Sequence, residues 1–327
     1  MNRNKLVLEL IENRKASFKK NYGRYYPDSE GNASFFLDKK RRLYKKIKQD
    51  KWLIMDDYLV SFSDWYIAYS QYARMQLDDK KLQKNAFCQS AWCSYKAMKV
   101  KTETARIRGI KKGPNTGFLP WQVLSWYGNL LLAGWQVEAD EIMNLVLASK
   151  IGSPGIILDG GSTLDTFVFF LMELYCLWQG KTFRRGDFRH TAIYRKEFGD
   201  DVVFIYDPML ENWSTTDSKL LDNLVTQMCD YHVSRTVEQP KGIPKDEEDY
   251  YEFNRNAAHQ LYPFEVLVWL KIRELAGLKN PSEFFHPLMN QPLAEPITDA
   301  PLKKPIEHEE TNQILSLVLK HFPDAQL

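Results

Sequence analysis

Apolar side chains return every three or four positions over long stretches of this chain, the period of a helix with one buried face. Leu59, Phe62, Tyr66, Tyr69 and Ala73 form one such stripe, and Phe87, Ala91, Tyr95 and Met98 form the next. The polar run Leu77-Asp-Asp-Lys-Lys between them predicts an antiparallel helix hairpin, with Asp56 or Asp57 capping its first helix. From Thr102 to Gly117 the chain is basic and glycine-rich and reads as an exposed connection. Pro120 then opens a helix striped by Leu119, Val123, Trp126 and Leu130. A shorter helix follows, packing through Val137, Ile142, Leu145 and Val146.

The widest apolar face lies between Leu164 and Trp178 and predicts a central helix ended by Gly180. It carries Asp165 and Glu173 and is shorter than the ~20 residues that cross a bilayer, so a buried helix is expected. Lys181 to Arg189 turns basic and polar and divides an N-terminal region, 1–180, from a C-terminal region, 181–327. Beyond it, Leu221, Leu224, Val225 and Met228 mark a helix with Ser214, Thr215 and Thr216 as candidate caps. A helix with Pro263 at its start and Gly277 past its end comes next, then a Pro-rich meander from Asn280 to Pro305. The last helix, about Glu309 to Phe322, docks through Ile314, Leu315 and Val318. Only Val202 to Tyr206 has strand character, and one such run makes no sheet. The expected fold is all-α, a multi-helix bundle of antiparallel helix pairs.

Charge separates the two regions. Lys plus Arg (44) nearly cancels Asp plus Glu (42), yet up to Lys112 there are 26 basic and 12 acidic residues, against 18 and 30 in the remainder. The basic run Lys39 to Lys48 could neutralise phosphates, which makes a nucleic-acid-associated protein the second reading of the chain. Between Glu197 and Glu252 the balance reverses, with 14 carboxylates against four cationic side chains. Phe198, Phe204, Tyr206, Trp213, Tyr231, Tyr250, Tyr251 and Phe253 are interleaved with them. Such a surface repels DNA and attracts a cationic DNA-binding groove, so a protein partner is the first reading.

Catalytic motifs do not emerge. The six histidines show no His-Glu-x-x-His spacing, and Cys88, Cys93, Cys176 and Cys229 sit in apolar helical patterns without Cys-x-x-Cys, as buried reduced thiols do. Ser162, in Asp-Gly-Gly-Ser-Thr, lacks the Gly-x-Ser-x-Gly elbow, and no glycine-rich phosphate loop is present. No catalytic residue, cofactor or metal is therefore expected. Glu173 and Glu265, each within an apolar helix, supply a third reading as a helical carboxylate enzyme; a first-turn position at the helix dipole also accounts for Glu265. The apolar run before Glu9 is only three residues long, far short of a signal peptide, and a cytoplasmic protein is expected.

Three blocks carry a likeness to a known family: Pro120-Trp-Gln-Val-Leu-Ser-Trp-Tyr-Gly-Asn-Leu with its continuation to Val146, the helix Leu164 to Trp178, and the late Tyr262-Pro-Phe-Glu-Val-Leu-Val-Trp-Leu. In order and spacing, from about residue 40 to 278, the chain resembles the PoNi-type immunity proteins. Members of that family neutralise PoNe-type DNase toxins, delivered between competing bacteria and often by type VI secretion, through direct binding. The resemblance implies a binding protein that is not an enzyme, with a cognate toxin as partner. The acidic, aromatic stretch supplies the expected toxin-binding residues: Glu197, Asp200, Asp201, Asp246, Glu247, Glu248, Asp249, Tyr250, Tyr251 and Glu252.

Overall fold

The computed structural model describes residues 3–20, 34–109, 118, 120–148, 166–184, 205–236, 253, 258–298 and 300–327. They form eleven α-helices and no strand, so the all-α expectation holds. In chain order these are α1 (Arg3–Lys20), α2 (Ser34–Lys48), α3 (Met55–Gln76), α4 (Lys80–Ile107), α5 (Pro120–Leu132) and α6 (Gln136–Ala148). Then come α7 (Thr166–Trp178), α8 (Asp207–Glu211), α9 (Ser218–Ser234), α10 (Phe264–Leu275) and α11 (Glu309–His321). None of the described helices is long and apolar enough to cross a membrane.

The two longest helices make the expected hairpin. Ser63 Oγ lies 3.1 Å from Ser90 Oγ, and Ser70 Oγ donates to the Gln83 carbonyl at 3.0 Å, a register that only an antiparallel pair gives. Asp79 caps α4 by accepting from the Leu82 amide at 2.9 Å, directly after Asp78 turns the chain with a left-handed φ of 50°. Asp56 and Asp57 do not cap α3, whose N-cap position is Ile54. Asp56 is buried and receives the Lys101 ammonium at 2.8 Å. The predicted exposed connection also starts later. α4 continues to Ile107 because Val100 and Thr104 extend its buried stripe, and Gly109, at a φ of 62°, follows its end.

Beyond the hairpin, α5 crosses α10 at Gly128, where a Cβ would sit 2.8 Å from Val268 Cγ2; the missing side chain is what lets the helices approach. On α6 the buried stripe is Ala139, Ile142, Met143 and Val146. Val137 falls on the opposite face and is 69% exposed, contrary to its expected packing role. α7 is apolar almost all round and buries Phe167, Phe170 and Leu174. The cap of α9 is Asp217, not the Ser214 to Thr216 run. Asp217 accepts from the amides of Lys219 and Leu220, while Thr215 Oγ1 receives the Asp217 amide one step earlier. Ile205 and Tyr206 form a turn into α8, not a strand. Val202, Val203 and Phe204 lie outside the described residues, as do Leu119, Ser162, Leu164 and Asp165.

The Pro-rich meander is seated on the bundle. Leu288 and Leu293 are buried in two short 3-10 turns, Pro287–Asn290 and Pro292–Ala294. The Leu302 amide donates to the Ala133 carbonyl, and Trp135 Nε1 donates to the Leu302 carbonyl at 2.7 Å. Between these contacts Gly134 has a φ of 79°, and a Cβ there would lie 2.7 Å from the Pro301 Cα. α11 docks through Ile314 and Val318, with Leu315 only half-buried. One apolar cluster runs from Val7 of α1 to Val318 of α11 and draws on residues from both sides of position 180.

Candidate functional site

The ten residues expected to meet a toxin, Glu197, Asp200, Asp201 and the run Asp246 to Glu252, lie outside the described residues, as do the aromatic Phe198 among them. The positions where those runs rejoin the described chain are defined. Tyr206, just after the first run, is buried and stacks on Phe170 of α7 at 4.5 Å between ring centroids, with its edge toward Tyr231 of α9 at 5.7 Å. Phe253, just after the second, is buried and stacks on Phe167 of α7 at 5.6 Å and on the His232 ring of α9 at 4.1 Å. Tyr206 bridges Phe170 to Tyr231 and Phe253 bridges Phe167 to His232, so each anchor touches both α7 and α9, and Phe167 and Phe170 lie one turn apart on α7. Two of the aromatics read as interface anchors are therefore core residues. A ring that buries its whole surface gains more inward than it would on an exposed rim.

The described carboxylates of the acidic stretch have structural partners in several cases. Asp217 caps α9, and Asp222 accepts the Phe285 amide at 2.9 Å. Asp230 takes Arg3 of α1 in a two-pronged pair, both contacts at 2.6 Å, and lies 3.4 Å from His286 Nε2. His286 Nδ1 accepts the Leu288 amide, which leaves the ring proton on Nε2, facing Asp230. Burial pulls the pKa of His286 down and Asp230 opposes that only in part, so the ring is neutral at neutral pH. These groups border a cleft of about 870 Å³, also lined by Tyr231, Ser234 and Phe285, the last 77% exposed at its edge.

Glu265 is buried, as its helix suggested, and its partner is His232 at 2.8 Å from Nδ1 to Oε1. His232 Nε2 lies 2.9 Å from the His259 carbonyl, which can only accept, so Nε2 carries a proton. One further proton lies between Nδ1 and Oε1, and the second oxygen, Oε2, is buried without a partner among the described residues. Both imidazole nitrogens are thus committed to protein groups, and the ring has no exposed face to offer a substrate. Glu173, half-buried on α7, takes no part in this pair, so the carboxylates of the enzyme reading do not combine there. The pairing is within reach of the sequence: His232 continues the stripe of Leu221, Val225 and Met228, and an acid in an apolar first turn needs a partner.

On α2, part of the basic run is spent inside the fold. Lys40 bridges to Glu310 at 2.5 Å and Glu309 at 3.6 Å on α11, Arg42 pairs with Asp38, and Lys39 reaches Ser61 of α3. Arg41, Lys45 and Lys48 are exposed. All four cysteines are buried free thiols, and burial pushes Cys88 up to about 11 and Cys93 up to about 12, which keeps them protonated. Among the described residues no three His, Cys, Asp or Glu side chains come together as metal ligands would. Comparison with protein families, with curated proteins and with solved structures finds no match to this chain.

Proposed function

We propose that the protein is an immunity protein that binds a cationic antibacterial toxin, a DNase of the PoNe kind, and occludes its active site. The observation that carries the reading is the shared anchorage of the two acidic runs. Tyr206 and Phe253 are fixed on the same α7–α9 seam, so Asp201 and Glu252 are each tethered a few residues from it. Runs tethered to one seam can present their charge to one partner, and opposite fields speed the encounter. The likeness to PoNi-type proteins in the α5, α7 and α10 segments supports the same reading, with a toxin delivered by type VI secretion and an immunity protein held in the producer's cytoplasm.

The test uses the toxin encoded beside this gene. The full chain should form a complex with it and abolish its DNA cleavage. Reversal of Asp246, Glu247, Glu248 and Asp249 to lysine should slow association at least ~10-fold, and more at low salt. Unchanged binding and protection in that variant would remove the acidic site. Exposed Arg41, Lys45 and Lys48 on α2 favour the second reading, direct association with nucleic acid. A salt-dependent shift of duplex DNA by the isolated chain, lost on replacing those three, would support it over the first.

A further inference from the structure

Lys96 of α4 is a cation without a counter-charge. The residue is only 8% exposed, and its ammonium lies over the rings of Trp92 and Tyr95, 4.4 and 5.2 Å from their centroids. Among the described residues no carboxylate stands within ion-pair distance of it and no group accepts a hydrogen bond from it. The acids that face it from α6 are held by other groups. Glu141 accepts from the Tyr95 hydroxyl at 2.7 Å and pairs with Lys99 at 3.6 Å, and Glu138 pairs with Lys304. Lys99 and Lys304 themselves repel the Lys96 ammonium. The two ring faces return part of the hydration it gives up, but they replace none of its hydrogen bonds.

Burial, reinforced by Lys99, pulls the pKa of this amine below the usual lysine value and enriches its uncharged, nucleophilic form. The nitrogen is not sealed. It keeps contact with solvent, unlike Trp92 Nε1 beside it, which is buried without a partner among the described residues, so a small electrophile can reach it. The surroundings also favour a particular product. An amide carries no charge, needs no counter-ion and packs flat on an aromatic face, so acylation removes the one unmatched charge of the group. Three ammoniums, those of Lys96, Lys99 and Lys304, stand against the carboxylates of Glu138 and Glu141, and the surplus positive charge favours a donor whose leaving group is an anion.

We propose that Lys96 is a site of acylation by small acyl phosphates. Its Nζ lone pair attacks the acyl carbon, the carbon–oxygen bond to phosphate breaks with its electron pair leaving on the phosphate, and the surplus proton of the nitrogen passes to water. The inference is independent of the toxin reading. Acetyl phosphate is the probe. The full chain is treated with a limiting amount of it at about pH 8, below the usual lysine range, so that the free amine limits the rate. Acetylation at each lysine is then followed at early times by mass spectrometry of peptides. Lys96 should react at least ~3-fold faster than exposed Lys45, and faster than Lys99, whose ammonium is held by Glu141. In guanidinium chloride the preference should vanish, because the unfolded chain gives all three amines the same surroundings. A smaller ratio of Lys96 to Lys45 in the folded chain, or a preference that survives unfolding, would overturn the proposal.

Discussion

The α3–α4 hairpin and the α7–α9–α10 seam both bury aromatic side chains, by opposite routes. The hairpin joins neighbours in sequence across a short turn; its inner polar ties, Ser63 to Ser90 and Ser70 to the Gln83 carbonyl, are small neutral groups, and its ion pair, Asp56 with Lys101, lies at the end away from that turn. The seam gathers Phe167, Tyr206, His232, Phe253 and Glu265 from separate stretches and places an ionisable pair at its centre. A local hairpin needs only periodicity and a turn, and its mistakes are cheap. A seam assembled from distant pieces needs its pieces to arrive together, and one misplaced partner leaves a buried polar group unmet.

The strongest test of that contrast removes one member of the pair. Glu265→Ala should cost about 3 to 5 kcal/mol in urea unfolding, because His232 is left in an apolar site with an unmatched ring nitrogen. The double variant His232→Phe with Glu265→Leu should recover part of that loss, since neither polar group then remains to be satisfied. A loss below about 1 kcal/mol for Glu265→Ala would mean that the seam tolerates its polar centre as easily as the hairpin tolerates its serines. Next in size is Gly128→Ala at the crossing of α5 with α10. The new methyl meets Val268 Cγ2 and should cost about 1 to 3 kcal/mol, and Val268→Ala should relieve it in the double variant.

This contrast also explains what the sequence disclosed. The stripe from Leu59 to Ala73, the turn at Asp78 and Asp79, Pro120 at the head of α5 and Gly277 after α10 are local signals, and each is found where the periodicity put it. Local signals failed at other positions. Asp56 falls one residue inside α3, which starts earlier than expected, at Met55, and its carboxylate pairs with Lys101; Val137 is apolar enough to pack but lies off the stripe of α6. The Pro-rich segment reads as a loose meander, because its contacts with the α5–α6 turn and with α10 are backbone and amide bonds that leave no period in the sequence. Within the candidate site, Tyr206 and Phe253 were legible as aromatics among acids. Their inward direction was not, since it depends on Phe167 and Phe170 of a helix far back in the chain.

Acid should separate the two regions by a smaller amount. His259, buried against Trp121 and Phe264 beside the pair, has its pKa pulled down to about 3 by burial. The folded state therefore keeps His259 neutral while the unfolded chain takes up a proton below about 6.5. Its contribution is complete above that pH and is lost as pH falls toward 3. Between pH 7 and about 5.5 the loss amounts to about 1.4 kcal/mol. Burial also lowers His286 and His308, so their loss of stability has the same sign. Urea midpoints should fall across that interval, and His259→Phe should flatten the decline. An equal slope in that variant would place the acid sensitivity elsewhere.

The smallest effect belongs to the hairpin. Asp79→Ala removes the oxygen that accepts the Leu82 amide and should cost ~1 kcal/mol, the usual worth of a helix N-cap. Asp79→Asn should restore most of it, since the amide oxygen accepts the same bond. The hairpin gains its stability from apolar packing along two long helices, so this cut leaves α3 and α4 paired and shifts only the urea midpoint. The order of these losses follows from what each change strands: a buried polar partner, a compressed methyl, an unwanted proton, and finally an amide at an exposed turn that water can reach. Should Asp79→Ala unfold the protein as readily as Glu265→Ala, the turn would carry as much of the fold as the distant pair, and the division between a local hairpin and a gathered seam would fail.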